Sequence, residues 1–375
     1  MTDMVAIVEH YASLGVHRTG SAIDRATTDW LQGFLDGMGA RTRRHHYDFE
    51  MVQGSVGAQP PFDQLPMMPL YYAASGGFET KSVLVRPIEL DAAHTPEDVN
   101  AQLEAGVMQA RDAGADLLLL STQCPKDSLC AINRDIDDRI EFPIALAPGS
   151  ALSALQAGSP HIHYDVAVET AGSDNLIADL GDRDDTRAPL IVTTPISGWF
   201  SCAGERGSGL AVALQVSETI AKRHPVKLVL ASGHELGYLG ARRFVEGFEE
   251  AACGILHIGS CVADLAAFVP SDGQFLPGKV GAVANLGADG QETVSRSLAP
   301  LGIVTRRPAR PLDPTCWVGE SETWAPKGLP MLSIAGVSNT FHTPEDTFAS
   351  AGSAELLETV ATSVSACGNV LATHG

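Results

Sequence analysis

Val226-Lys227-Leu228-Val229-Leu230-Ala231-Ser232-Gly233-His234-Glu235-Leu236-Gly237 is an apolar run that stops at a glycine-flanked pair of chemically capable side chains. Six residues with one polar member match a buried strand, and Ser-Gly marks its end. Residues 190–194 give a second such strand. Thr194-Pro195-Ile196-Ser197 follows it, and Gly204-Glu205-Arg206-Gly207-Ser208-Gly209 then leads into a helix over 209–223. Residues 175–180, 254–258 and 331–335 add further strands, and a helix over 356–371 closes the chain. Alternation of this kind predicts an α/β fold with a mostly parallel, helix-covered central sheet. In such sheets functional groups gather at the carboxyl ends of strands, where His234 and Glu235 stand.

Working outward, residues 4–14 and 22–38 read as helices separated by Gly15-Val16-His17-Arg18-Thr19-Gly20, with Thr19 or Ser21 as cap of the second. A polar strand is expected over 41–50. The Gly- and Pro-rich stretch 53–69 reads as a crossing into another unit. Residues 52–162 have their own rhythm, with strands near 82–86, 116–121 and 142–147 and helices near 96–113 and 151–156. The expected organisation is a discontinuous large domain, 1–51 and 163–375, carrying a smaller α/β insertion over 52–162.

The chain has 375 residues, 45% hydrophobic and 19% charged, which is enough apolar material for a sizeable core. Its formal charge of −20 repels phosphate backbones and anionic lipid, so neither nucleic acid nor membrane is an expected partner. Seven scattered cysteines without metal-ribbon spacing favour reduced thiols, and residues 1–14 lack an export pattern. A cytoplasmic location is the expectation. No apolar stretch approaches the roughly 20 residues of a membrane span. The sequence leaves the oligomeric state open.

Several chemistries are excluded by spacing. Tyr238 stands where a second histidine would complete the helical zinc-protease pattern after His234, and there is neither a G-x-S-x-G elbow nor a P-loop. Phe341-His342-Thr343-Pro344-Glu345-Asp346 contains a good helix start, and the same His-Thr-Pro-Glu-Asp string recurs at His94 to Asp98. Taken alone, the string at 342–346 is a capping sequence.

Taken in order, these stretches resemble the M28 family of zinc peptidases, which includes aminopeptidases and glutaminyl cyclases. The matching residues are His17-Arg18-Thr19-Gly20-Ser21 with Asp24 and Trp30-Leu31, Asn175-Leu176-Ile177-Ala178, Gly233 to Gly240 with Ala241-Arg242, and Gly328-Leu329-Pro330 through Pro344. The segment 52–162 resembles the protease-associated domain many members carry. The resemblance implies a zinc-aminopeptidase-like fold with two zincs, yet most ligand positions have changed. The first His and its Asp partner fall on Pro195 and Ser197, the bridging Asp on Gly204, the general base on His234, and a later Asp near Gly259. Only Glu235 and His342 keep the family's ligand types.

Three readings follow from the resemblance. A one-residue loop shift would put Glu205 beside Glu235 and His342 as ligands of one zinc or other divalent transition metal, with His234 as base or fourth ligand. The chain would then be a divergent M28-type hydrolase acting on an amide-like bond of a small molecule or short peptide. Alternatively it is a metal-free homologue that binds such a molecule without cleaving it. The third reading is a metal-free enzyme using Ser197, Cys202, Glu205 and His234. Substrate contacts are expected from Ser197, Trp199, Cys202, Trp317 and Glu320, with Phe200 and Trp324 nearby.

Overall fold

The computed structural model describes residues 3–90, 95–271, 274–277 and 280–374. Two compact units result. Unit 1 comprises Met1–Tyr47, Gly172–Ser338 and Glu345–Gly375; unit 2 comprises Asp48–Ala171 and Asn339–Pro344. The boundaries expected at 51/52 and 162/163 fall within long strands that serve both units, and the short segment carrying His342 groups with unit 2.

In chain order the strands begin with β1 (Arg41–Ala58), β2 (Met68–Pro69), β3 (Gly76–Thr80) and β4 (Val83–Glu89). Next come β5 (Leu117–Gln123), β6 (Ile144–Pro148), β7 (Ile162–Leu180), β8 (Leu190–Pro195), β9 (Val226–Ala231) and β10 (Gly254–Ile258). The last five are β11 (Phe268–Ser271), β12 (Gln274–Pro277), β13 (Val280–Asn285), β14 (Thr305–Arg306) and β15 (Met331–Gly336).

In unit 1 the sheet runs β1-β7-β9-β8-β10-β15-β13-β14. Its centre, β9-β8-β10-β15, is parallel throughout, while β7 and β13 pair antiparallel on either flank. Every residue of β8, β9 and β10 is buried, as expected of strands covered on both faces. The helix Ser208–Ala221 covers this centre, buried at Leu210, Val212, Leu214, Val216 and Ile220, and packs on the closing helix Ala354–His374.

Unit 2 has a sheet ordered β2-β6-β5-β4, with β3 pairing residues 162–166 of β7. The Leu117-Leu118-Leu119-Leu120 run fills its centre, fully buried. The stretch 53–69, read from its glycines and prolines as a crossing, is strand as far as Ala58. Gly54 sits there at φ +132°, where a Cβ would lie 2.0 Å from the Asp165 carbonyl oxygen, so the glycine permits close strand pairing instead of breaking the strand. Among the described residues no helix is long and apolar enough to cross a membrane.

Candidate functional site

The loops after β8 and β9 supply most of the side chains singled out in unit 1, and the backbone there and after β10 is unusual. Phe200, Cys202, Tyr238 and Cys261 all have positive φ, between 47° and 60°. Non-glycine residues held there carry backbone strain, and such residues concentrate at functional loops. Residues Ala203–Gly207 form one wide helical turn before the helix Ser208–Ala221, with Gly207 N–H donating to the Cys202 carbonyl at 3.0 Å. Wide turns of this kind recur at functional sites.

Glu235 is fully buried and fully engaged. Oε1 accepts from the Thr19 N–H at 2.7 Å and Oε2 from the Ser197 hydroxyl at 2.8 Å. Ser197 Oγ in turn accepts the N–H groups of Gly233 (2.8 Å) and His234 (3.2 Å). Ser197 is therefore a brace between two loops, with its proton committed to Glu235. The residues that matched the family frame this loop. Asp24 accepts from Ser232 Oγ (2.9 Å), Ser173 Oγ (2.7 Å) and Gly20 N–H (2.8 Å). Asn175 bridges the Ser232 N–H and the Gly240 carbonyl.

Glu205 carries the decisive departure. Its Oε1 lies 2.6 Å from Nη2 of Arg206, whose Nε donates to the Ser197 carbonyl at 2.8 Å. Both side chains are buried, each 1% exposed. Burial opposes the guanidinium charge, but Glu205 and then Cys202, Tyr11 and Glu320 outweigh it, and the pKa of Arg206 is raised. A permanent cation thus stands among the positions that the resemblance assigns to zinc ligands.

Around it are more acids than cations. His234 Nδ1 lies 3.1 Å from Glu320 Oε1. Burial pushes Glu320 up to about 8; Arg206 pulls against this and Glu235 adds to it. Asp346 accepts from the N–H groups of Gly204 (2.7 Å) and Glu205 (2.9 Å), and burial, then Asp264 and Glu205, push it up to about 8. His257, on β10, bonds Ser333 Oγ at 2.8 Å, and burial holds its pKa down at about 3. Among the described residues, Arg206 Nη1, Glu320 Oε2 and His257 Nε2 are buried without a protein hydrogen-bond partner.

The two glycines that the resemblance sets against acidic ligands are closed by packing. A Cβ on Gly204 would lie 2.4 Å from the Asp264 carboxyl carbon. A Cβ on Gly259 would lie 2.8 Å from both Ala335 Cβ and the His257 ring. No carboxylate fits at either place without rearrangement. Gly204→Ala is expected to cost about 1–3 kcal/mol in urea unfolding. Gly33→Ala, in a helix with nothing within 4 Å of its Cβ, should be neutral or stabilising. Equal effects from the two would show that Asp264 yields freely.

The remaining sequence candidates sort by position. Cys202 is fully buried, donates to the Trp199 carbonyl, and burial pushes its thiol well up, so it is no ready nucleophile. Trp199 is 3% exposed. Trp317 and Trp324 belong to a core cluster with Phe244 and Phe248, and Trp317 Nε1 donates to the Pro311 carbonyl. They pack the interior. His342 lies in unit 2, at φ 58°, with Nδ1 3.2 Å from the Ala131 carbonyl.

Arg206, His257, Asp264 and Asp346 were not singled out in the sequence. The repeated His-Thr-Pro-Glu-Asp string explains one omission. At Thr95 it is a helix-capping box, with Asp98 N–H donating to Thr95 Oγ1 at 3.2 Å; His94 lies outside the described residues. At 343–346 it starts no helix, and Asp346 caps the turn at Gly204 and Glu205.

Among the described residues no group of three or more His, Cys, Asp or Glu side chains is arranged to hold a metal ion. The donor chemistry agrees. Glu205 is paired with a guanidinium, and Glu235 has both oxygens committed to protein donors. As arranged, these residues do not fit a zinc.

No family model and no curated protein matches the sequence. Solved structures do match. A zinc aminopeptidase from Bacillus subtilis is 13% identical with a TM-score of 0.71, covering 97% of this chain and 93% of that one. A Peptidase M28 precursor from Shewanella amazonensis is 16% identical with a TM-score of 0.73, covering 99% and 92%. A glutaminyl cyclase from Porphyromonas gingivalis is 12% identical with a TM-score of 0.52, covering 98% and 96%. The chain has the fold of the zinc aminopeptidases.

Proposed function

We propose that this chain is a metal-independent protein of the aminopeptidase fold that binds a small molecule or short peptide instead of cleaving one. The observation that carries this is the buried Arg206, ion-paired to Glu205 and bonded to the Ser197 carbonyl. A guanidinium supplies fixed positive charge but neither an open coordination position nor an activated water, the two things a hydrolytic zinc contributes. The binding half is supported by the buried polar atoms without protein partners. Arg206 Nη1 offers a donor and Glu320 Oε2 an acceptor. Buried groups of this kind normally find a partner, and a small molecule carrying both a carboxylate and a second polar group would satisfy both atoms.

A metal-free hydrolase is favoured by one observation, the His234–Glu320 contact at 3.1 Å, since an imidazole oriented by an acidic side chain is the base of many such sites. Ser197 and Cys202 give it no nucleophile, so this reading needs water attack assisted by His234.

The experiment is metal analysis of protein purified without chelator, before and after zinc addition, combined with thermal melts against amino acids and dipeptides and a hydrolysis assay on dipeptide amides. The expected results are no stoichiometric metal, an unchanged melt for His342→Ala in zinc, a ligand-dependent rise in Tm, and no turnover. One tightly held zinc per chain, lost in His342→Ala, would overturn the proposal. Chelator-insensitive turnover abolished by His234→Ala would establish the hydrolase instead.

A further inference from the structure

The sheet of unit 1 reverses direction near one edge. β8, β9, β10 and β15 run parallel, whereas β13 is antiparallel to β15 and β14 lies parallel to β13. With the helix Ala288–Leu298 between them, β13 and β14 form a small strand–helix–strand unit of their own. Asn285, the last residue of β13, pairs with Met331, the first of β15. The carboxyl ends of this unit therefore lie at the end of the sheet away from His234 and Glu235, which follow the carboxyl end of β9. Ligands of open α/β sheets collect outside the carboxyl ends of strands.

A cavity of about 490 Å³ opens at that place, a volume within the range of small-molecule sites. Asn285 and Leu286 line it from the end of β13, and Arg307 from the position after β14. Pro330, just before β15, and Val370 of the closing helix join Leu286 in an apolar wall. The helix Ala288–Leu298 reaches that wall through Gly290, whose Cβ would stand 3.3 Å from Leu286 Cβ and 3.6 Å from Val370 Cγ1.

Arg307 brings charge to this apolar space. Its Nη2 donates to the Leu286 carbonyl at 3.0 Å, which fixes the guanidinium beside the cavity loop. Among the described residues the rest of its planar fork is uncommitted. Asp289 lines the same cavity.

We propose that this cavity binds a small apolar carboxylic acid, its carboxylate on Arg307 and its hydrocarbon against Leu286, Pro330 and Val370. A guanidinium held in place offers a carboxylate two parallel donors, a geometry that an ammonium or an amide does not supply. One cation with an acid nearby suits a monoanion, where a phosphate dianion would meet Asp289 with twice the repulsion. The same Asp289 separates two sources of the shared chemistry. A free apolar amino acid carries an ammonium that Asp289 attracts, and a simple acid carries none.

The test is amide exchange of the full chain, read by peptide mass, with isocaproate, isocaproamide or leucine at millimolar concentration. These three share one branched hydrocarbon. Peptides spanning residues 285–291 are expected to exchange at least about threefold slower with a bound acid, and isocaproamide should have no effect. Arg307→Met should weaken the response at least about tenfold while unfolding in urea like the parent chain, since Arg307 is exposed. Slowing by leucine that Asp289→Asn diminishes would make the ligand a free amino acid. Slowing by isocaproate alone, strengthened in Asp289→Asn, would make it a simple acid. No slowing at 285–291 with either acid, an equal effect of isocaproamide, or a full response in Arg307→Met would overturn the site. Slowing confined to residues 203–207 would overturn it too, while supporting the binding proposed at Arg206.

Discussion

Replacing Arg206 with methionine is expected to cost about 3–5 kcal/mol in urea unfolding at pH 7. Arg206 and Glu205 are each 1% exposed, so removing the cation leaves a carboxylate buried without the charge that compensates it. Glu235, Glu320, Asp264 and Asp346 also belong to unit 1 and are buried, so nothing in the cluster replaces the lost positive charge except protons. The variant should therefore recover at acid pH, where those protons are available. Arg206→Lys keeps the charge but loses the planar fork that reaches Glu205 and the Ser197 carbonyl together, and it should fall between the two. Adding Glu205→Gln to Arg206→Met should restore part of the loss, because the stranded charge is then gone. Arg206→Met within about 1 kcal/mol of the parent chain would mean the guanidinium is incidental, and the function proposed above would lose its main support.

Why Arg206 escaped sequence reading is a physical matter. An Arg next to a Glu in a Gly-rich connection is ordinarily a solvated loop, but here the turn is enclosed, with Asp264 against Gly204 and Tyr11 and Val8 against Gly207. The strands β8, β9 and β10 were legible because a strand covered on both faces must be apolar throughout. By contrast β13 is Val-Gly-Ala-Val-Ala-Asn, alternately buried and exposed at its start, with residues too small to announce a period. The polar helix Ala288–Leu298 that follows was equally silent. Glu235 was legible as a retained residue, but its role as the acceptor for Thr19 and Ser197 depends on partners more than 30 positions away. The equal spelling at 94–98 and 342–346 makes the general point. Thr95 and Asp98 close a local motif, whereas Asp346 serves a turn that precedes it by about 140 positions, and short-range patterns carry no record of such pairings.

Stability is expected to fall as pH rises from 6.5 to 8, opposite to the usual behaviour of paired carboxylates. Glu320 and Asp346 are each pushed up to about 8, Glu320 by burial first and Asp346 by burial and then Asp264. In the unfolded chain both are ionised above about pH 4.5. Between that value and 8 the folded state therefore holds protons that the unfolded state has lost, and each unit of pH costs about 1.4 kcal/mol per group. The buried histidines act in the other direction mainly at lower pH. Burial holds His17 down at about 4 and His257 at about 3, so most of their contribution is in place by pH 6.5 and the small remainder, which opposes the decline, is complete by about 7.5. Cys124 opposes the acids in the same window, since its thiol is held down at about 6 and folding there favours the ionised form. Two groups against one leave a decline of about 2 kcal/mol between pH 6.5 and 8, measured by urea unfolding. Cys124→Ser should steepen it towards about 4 kcal/mol, and Glu320→Gln in that background should bring it back by half. A flat or rising profile in Cys124→Ser would mean that Glu320 and Asp346 are already ionised in the fold. The Arg206 cation would then be answering a larger buried negative charge than the one described here, and the acid recovery expected of Arg206→Met should be greater in proportion.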